Sequence, residues 1–341
     1  MFIGFLQRVT WVGYTPGIMH IPDGFLDLKT AVAAGGLTGI GLYAGRFADT
    51  ACGAERGVRR VSLLGLGAAF VFAAQMINFP VAGGTSGHLI GGVLMAILLG
   101  PAAAVTVMTA VVTVQCLLFA DGGITALGAN LFNMALLAPL GGYLVWALLQ
   151  RIRRVRENVN ASAVAAGIAG WAGTMLAALS CAGQLALSGM APWSLVVPAM
   201  AGIHALIGLG EGIITALIVR SVRRRGSLTA ELELLSRAGQ APGMSLVPVV
   251  FVAAAGLALF ASPWACPWPD GLEAVAGNLG FEGRAAEPLV AGLCPDYAIP
   301  ALGSTWGTIL AGTFGAIVTA LLVLAAGRLA ARRERVPVAG D

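Results

Sequence analysis

The stretch AAAVTVMTAVVTVQCLLF, residues 102–119, runs for eighteen residues without a charge. A segment of that length and composition reads as a membrane-spanning helix. About 20 apolar residues at ~1.5 Å each match a hydrocarbon core of about 30 Å. In hydrocarbon every backbone N–H and C=O must find its partner inside the protein, and a helix supplies those partners by itself. Runs of this kind recur along the whole chain, which is 58% hydrophobic and only 11% charged. Its mean hydropathy is +0.86, and soluble domains carry about 25% charged residues. The 48 glycines fit the same class, since small residues let membrane helices approach closely. The chain is expected to be an all-α polytopic membrane protein.

Charge placement sets the expected topology. Seventeen of the 20 Lys and Arg residues fall in four clusters: Arg46/Arg56/Arg59/Arg60, Arg151/Arg153/Arg154/Arg156, Arg220/Arg223/Arg224/Arg225/Arg237 and Arg328/Arg332/Arg333/Arg335. Cations bunched on alternate connections mark the cytoplasmic side, so the net charge of +4 reports topology and no nucleic-acid partner is implied. Segments over about 30–46, 61–79, 89–99, 102–119, 131–149, 161–187 and 196–219 make seven crossings, the third of them short or tilted. Residues 221–244 read as a polar cytoplasmic linker. Spans over 245–262 and 305–327 then enclose a polar external loop, 263–304, with Asp270, Glu273, Glu282, Glu287 and Asp296 against the single cation Arg284. The mature N-terminus is expected outside and the C-terminus inside. Cys266 and Cys294 share the external loop. An oxidising exterior permits a disulfide there, and two free thiols are the alternative.

No H-E-x-x-H, G-x-S-x-G or G-x-x-x-x-G-K-[ST] pattern occurs, so nothing points to a metalloprotease, serine hydrolase or ATPase. The chemistry-bearing residues are three histidines, His20, His88 and His204. His20 and His88 both fall at external segment ends in Gly/Pro-rich turns, and imidazole is the commonest side-chain ligand for late divalent metals. The segment MHIPDGFLD, 19–27, adds backbone donors. If Met19 is the first residue, its α-amine, the His20 amide nitrogen and the His20 imidazole can chelate one ion through fused five- and six-membered rings. His88 would complete four nitrogens, a set suited to Ni(II) or Co(II).

MHIPDGFLD (19–27), FPVAGGTSGHLIGG (79–92), FADGGITALGANLFNMA (119–135) and HALIGLGEGIIT (204–215) together resemble the signature segments of the CbiM/NikM family. Its members are the substrate-binding (S) components of cobalt and nickel energy-coupling-factor (ECF) transporters. WPDGLEAVAG, 268–277, resembles the PDGLE module, similar to the two-span CbiN/NikN partner and here fused. The resemblance implies a seven-helix S-component bundle over 19–220 and a two-helix module over 245–335. It also implies an N-terminal loop folded back into the protein, with Met19, His20 and His88 holding the ion. The extension 1–18 departs from the pattern, because a peptide bond to Ile18 removes the amine. A misassigned start, processing, and a genuine extension with altered coordination are the three explanations.

Around that site Asp23 is expected to cap or pin the loop, Thr85 and Ser86 to orient His88, and Asn130 and Asn133 to satisfy backbone groups near the ion path. His204 is expected to pack against a neighbouring helix, and Glu211 lies near it as a buried acid. Ala31/Gly35 and Gly41/Gly45 offer a small-residue face for a transmembrane partner. The implied function is capture of Co(II) or Ni(II), as transported substrate, at the outer face of a bacterial or archaeal cytoplasmic membrane. No organic cofactor is expected, and the chain is expected not to be an enzyme. A transmembrane coupling (T) subunit and cytoplasmic ATPases are the implied partners besides the lipid bilayer. A self-sufficient divalent-metal channel or secondary transporter is the competing reading. It expects a continuous polar path, of which Asp121 and Glu211 are the few candidates.

Overall fold

The computed structural model describes residues 19–51, 58–224, 254–261 and 264–333. The extension 1–18, Cys52, residues 225–244, most of the span 245–262 and Arg335 lie outside the described residues. The main bundle contains α1 (Leu28–Ala51), α2 (Val58–Gln75), α3 (Gly92–Leu99), α4 (Pro101–Phe119), α5 (Leu127–Leu149), α6 (Val159–Leu187) and α7 (Trp193–Arg224). A short external helix, α8 (Gly271–Leu279), and a long one, α9 (Ser304–Arg333), follow. Among the described residues, α4 to α7 and residues Thr305–Arg328 of α9 are long and apolar enough to cross a membrane. α7 continues through Arg224, so Ser221–Arg224 belong to the helix and not to the linker read from their polarity.

α3 has eight residues, about 12 Å of helix, which is less than half a bilayer core. It starts from a buried loop, and that loop carries His88. α5 widens into a π-helical turn over Phe132–Leu137. There the Asn133 amide pairs reciprocally with Gln184 of α6, at 2.8 and 2.9 Å. Asn133 therefore joins two side chains, in place of the backbone group expected for it. α6 and α7 cross closely because Gly167 and Gly212 face each other: a Cβ on Gly212 would stand 2.7 Å from the Gly167 carbonyl oxygen.

α9 packs against α2 and α4. Phe72, Phe119 and Tyr297 form one aromatic group, and Ala311, Ala316 and Val323 of α9 belong to the same core as α2, α4 and α5. The C-terminal module is thus built into the bundle and is not tethered beside it. Part of the small-residue stretch of α1 also lies close to the rest of the chain. Gly128 comes so near that its Cβ would stand 2.5 Å from Gly35 Cα, and Gly41 lies under Leu136. Among the described residues, Gly35 and Gly41 of this stretch thus have close approaches within the chain.

The bundle is polarised. At one end Arg223 of α7 donates to the Arg156 carbonyl (2.8 Å) and Arg220 to Asn160 (2.9 Å), so the second and third arginine clusters meet. The 23 residues of α5, about 34 Å, separate that end from the loops carrying His20, Asp121 and Asp270.

Candidate metal centre

The loop 19–27 inserts between the helix ends. His20, Ile21, Asp23 and Phe25 are all buried, and their backbone groups need partners once water is gone. Asn130 supplies two: its side chain accepts from Ile21 N and donates to Ile21 O, both at 3.0 Å. Gly123 N also donates to Ile21 O, at 2.9 Å. Asp23 Oδ1 accepts from the Thr125 amide (2.8 Å) and hydroxyl (2.6 Å), and its Oδ2 from Leu289 N (3.3 Å). Burial pushes the Asp23 carboxyl up, but these hydrogen bonds outweigh it and hold the pKa below the ordinary carboxylate value. His20 donates from Nδ1 to Asp121 Oδ1 at 2.7 Å, and Tyr297 donates to Asp121 Oδ2 at 2.7 Å.

His88 follows a two-stranded pairing, Phe79–Pro80 with Ser86–Gly87. Past it, Ile90 N and Gly91 N both donate to the Glu211 carboxyl, at 2.7 and 3.0 Å. Glu211 therefore holds the turn that leads from His88 into α3, across 120 residues of chain. Ser86 turns away from His88: its hydroxyl donates to Trp268 O (2.7 Å) and its amide to Pro269 O (2.8 Å). The orienting role expected for Ser86 gives way to anchoring the C-terminal segment. Thr85 accepts from Val81 N through its carbonyl (2.7 Å), which shapes the turn.

The C-terminal segment reaches the same place. Asp270 begins α8 as half of a capping box with Glu273, and its Oδ1 stands 3.6 Å from His88 Nδ1. His204 is half-buried, with Nδ1 donating to Met200 O at 2.8 Å, and packs on Gly271, where a Cβ would lie 2.9 Å from His204 Cε1. Burial pushes the Glu273 carboxyl up to about 7, against the lowering hydrogen bond from Asp270 N. Asp296 is pushed up to about 6, by burial and by Asp121. A raised carboxyl keeps its proton longer in the folded chain than in the unfolded one, so its contribution is greatest below the unfolded pKa and is lost as pH rises through the folded value. Thermal unfolding at pH 6 and pH 8 will therefore show a loss of about 1 kcal/mol that Glu273→Gln removes. Equal slopes in both proteins would contradict the assignment.

Cys266 and Cys294 are free thiols. Cys266 N is tied to Asn78 O beyond α2, and Cys294 N to Leu118 O at the end of α4. Different anchors hold them, and the bridge weighed from the sequence is not made.

These parts line a partly open cavity of about 70 Å³, bounded by Met19, His20, His88, Asn130, His204 and Asp270, among others. The His20 and His88 ring centroids are 5.8 Å apart. His20 Nε2, His88 Nδ1 and Asp270 Oδ1 are buried without hydrogen-bond partners among the described residues. Among the described residues no three His, Cys, Asp or Glu side chains form a ready-made metal cluster. Asp121, Tyr297 and Asp270 are the site residues that sequence reasoning missed. Asp121 read as an end-of-span acid and Asp270 as one of five loop acids, and nothing marked Tyr297.

Residues 20–228 match the CbiM family, described as the cobalt uptake substrate-specific transmembrane region. The chain belongs to that family. Residues 244–332 match the PDGLE domain. A putative fused nickel transport protein NikMN of Archaeoglobus fulgidus is 39% identical over 319 residues, spanning 92% of this chain and 99% of the relative. The fused nickel transport protein NikMN of Rhodobacter capsulatus is 32% identical over 358 residues, spanning 93% and 99%. A solved structure of a transition metal transporter superposes with a TM-score of 0.55 at 32% identity, covering 65% of this chain and all of its own. This CbiM-family chain is a multi-pass membrane protein of a cobalt and nickel transport family.

Proposed function

We propose that the chain captures Co(II) or Ni(II) at the loop-bearing end of the bundle, as the membrane subunit of an ATP-driven ECF-type importer. The observation that carries this is the pair His20 and His88, 5.8 Å apart on one cavity, each with a buried ring nitrogen that has no hydrogen-bond partner among the described residues. The arginine clusters at the opposite end favour that end as cytoplasmic, which leaves the cavity external. A coupling subunit and separate ATPases supply the energy, since no phosphate-binding loop occurs in this sequence.

In this reading the ion is held by the Met19 amine, the His20 amide nitrogen, the His20 imidazole and His88. A six-membered ring with the amide requires His20 Nδ1, the nitrogen bonded to Asp121. Loading therefore exchanges that hydrogen bond for a metal bond and frees Asp121. One observation favours a second reading: His20 Nε2 is the unpartnered nitrogen, and coordination through it needs no free amine. The start of the chain separates the two. Ni(II) titration of the full-length protein and of one beginning at Met19, each N-terminus verified by mass spectrometry, will show affinity on the order of 10²-fold higher for the Met19 form, the worth of one lost donor. Equal affinities would remove the amine chelate in favour of Nε2.

A further inference from the structure

The PDGLE segment does more than pack on the bundle. Its Trp268 and Pro269 carbonyls are tied to Ser86, two residues before His88, so the two segments run together into the cavity. Gly271 lets the segment pass, because any Cβ there would meet His204. The next consequence is that Asp270 Oδ1 and His88 Nδ1, an acceptor and an N–H site, face each other at 3.6 Å, both buried and neither with a hydrogen-bond partner. Closing less than 1 Å would give a charge-assisted hydrogen bond of about 2.7–2.9 Å.

We propose that Asp270 is a positioning residue for His88: the C-terminal module inserts a carboxylate that holds the imidazole as the Nδ1–H tautomer and leaves Nε2 as the donor to the ion. A carboxylate on the far nitrogen of a ligating histidine fixes ring orientation and raises its basicity. The fused module thereby completes a site whose ion-contacting residues all lie in the main bundle. Helix capping alone does not account for this arrangement, since the capped helix leaves Oδ1 free. Tyr297 reaches the other histidine in a parallel way, through Asp121, so the module touches the surroundings of both.

The inference rests on the reading of His88 as an ion ligand. The test uses the full chain in detergent, labelled with ¹⁵N-histidine; with three histidines each ring is resolved, and His88→Ala assigns its signals. Asp270→Asn keeps both the size and the capping ability of the residue, and Asp270→Ser keeps the cap but withdraws the reach. Both are expected to weaken Ni(II) and Co(II) affinity about 10–100-fold and to shift the His88 ring signals away from the Nδ1–H pattern. Glu287→Gln, on the exposed part of the same loop, should leave both readouts unchanged. Wild-type affinity within twofold and an unchanged His88 tautomer in Asp270→Asn would overturn the proposal. Wild-type affinity in His88→Ala would instead overturn the site itself.

Discussion

Replacing His88 with alanine will lower Ni(II) and Co(II) affinity about 100-fold or more, the loss of one of four donors, while the chain stays folded. The effect is large because nothing nearby substitutes for the ring. His204 is the third histidine on the cavity, but its Nδ1 is committed to Met200 O and its ring is packed against Gly271. The fold should survive because the backbone around His88 is held independently, by Glu211 at Ile90 and Gly91 and by the contacts of Ser86 with Trp268 and Pro269. Competition titration with a chromogenic chelator measures the affinity, and thermal unfolding of the same sample measures the fold. An unchanged affinity would refute His88 as a ligand.

Glu211→Ala will act in the reverse manner, on the scaffold first. Its carboxyl accepts two buried amides, Ile90 N and Gly91 N, at the start of α3. Alanine leaves both N–H groups without their partner at buried residues, at about 1–3 kcal/mol for each. Glutamine keeps one acceptor oxygen but turns its NH₂ toward a second N–H, so Glu211→Gln should lie between wild type and alanine. The expected result is a total loss of about 2–6 kcal/mol for alanine, read as lowered unfolding temperature, together with weaker Ni(II) binding because the turn after His88 is released. Wild-type unfolding of Glu211→Ala would show that this carboxyl does not hold the loop.

The two results separate different parts of the same site. In the proposed site His88 contributes a donor atom, and its removal should be silent in stability. Glu211 contributes no proposed donor to the ion, and its removal should be visible in stability before binding is measured. Asp270 falls between them, reaching the donor's other nitrogen from the fused module.

Much of this was legible in the chain itself. Uncharged runs such as 102–119 determine membrane helices, since the bilayer leaves the backbone no other partner. Clustered arginines point to the orientation, and the quoted segments that carry His20, His88 and Glu211 lead to the family and to the expected donors. The residues that hold those donors were not legible. Asp121, 101 residues from His20, and Asp270, far beyond the linker, look in sequence like ordinary acids at the ends of spans and in a loop. The sequence points Ser86 to His88 and Asn133 to backbone groups near the ion path, yet their side chains bond to Trp268 O and Gln184. Periodicity and composition determine which face of a helix avoids water, and so the class of fold. Which buried polar groups meet depends on where loops from distant segments arrive once the helices have packed, and only the tertiary structure decides that.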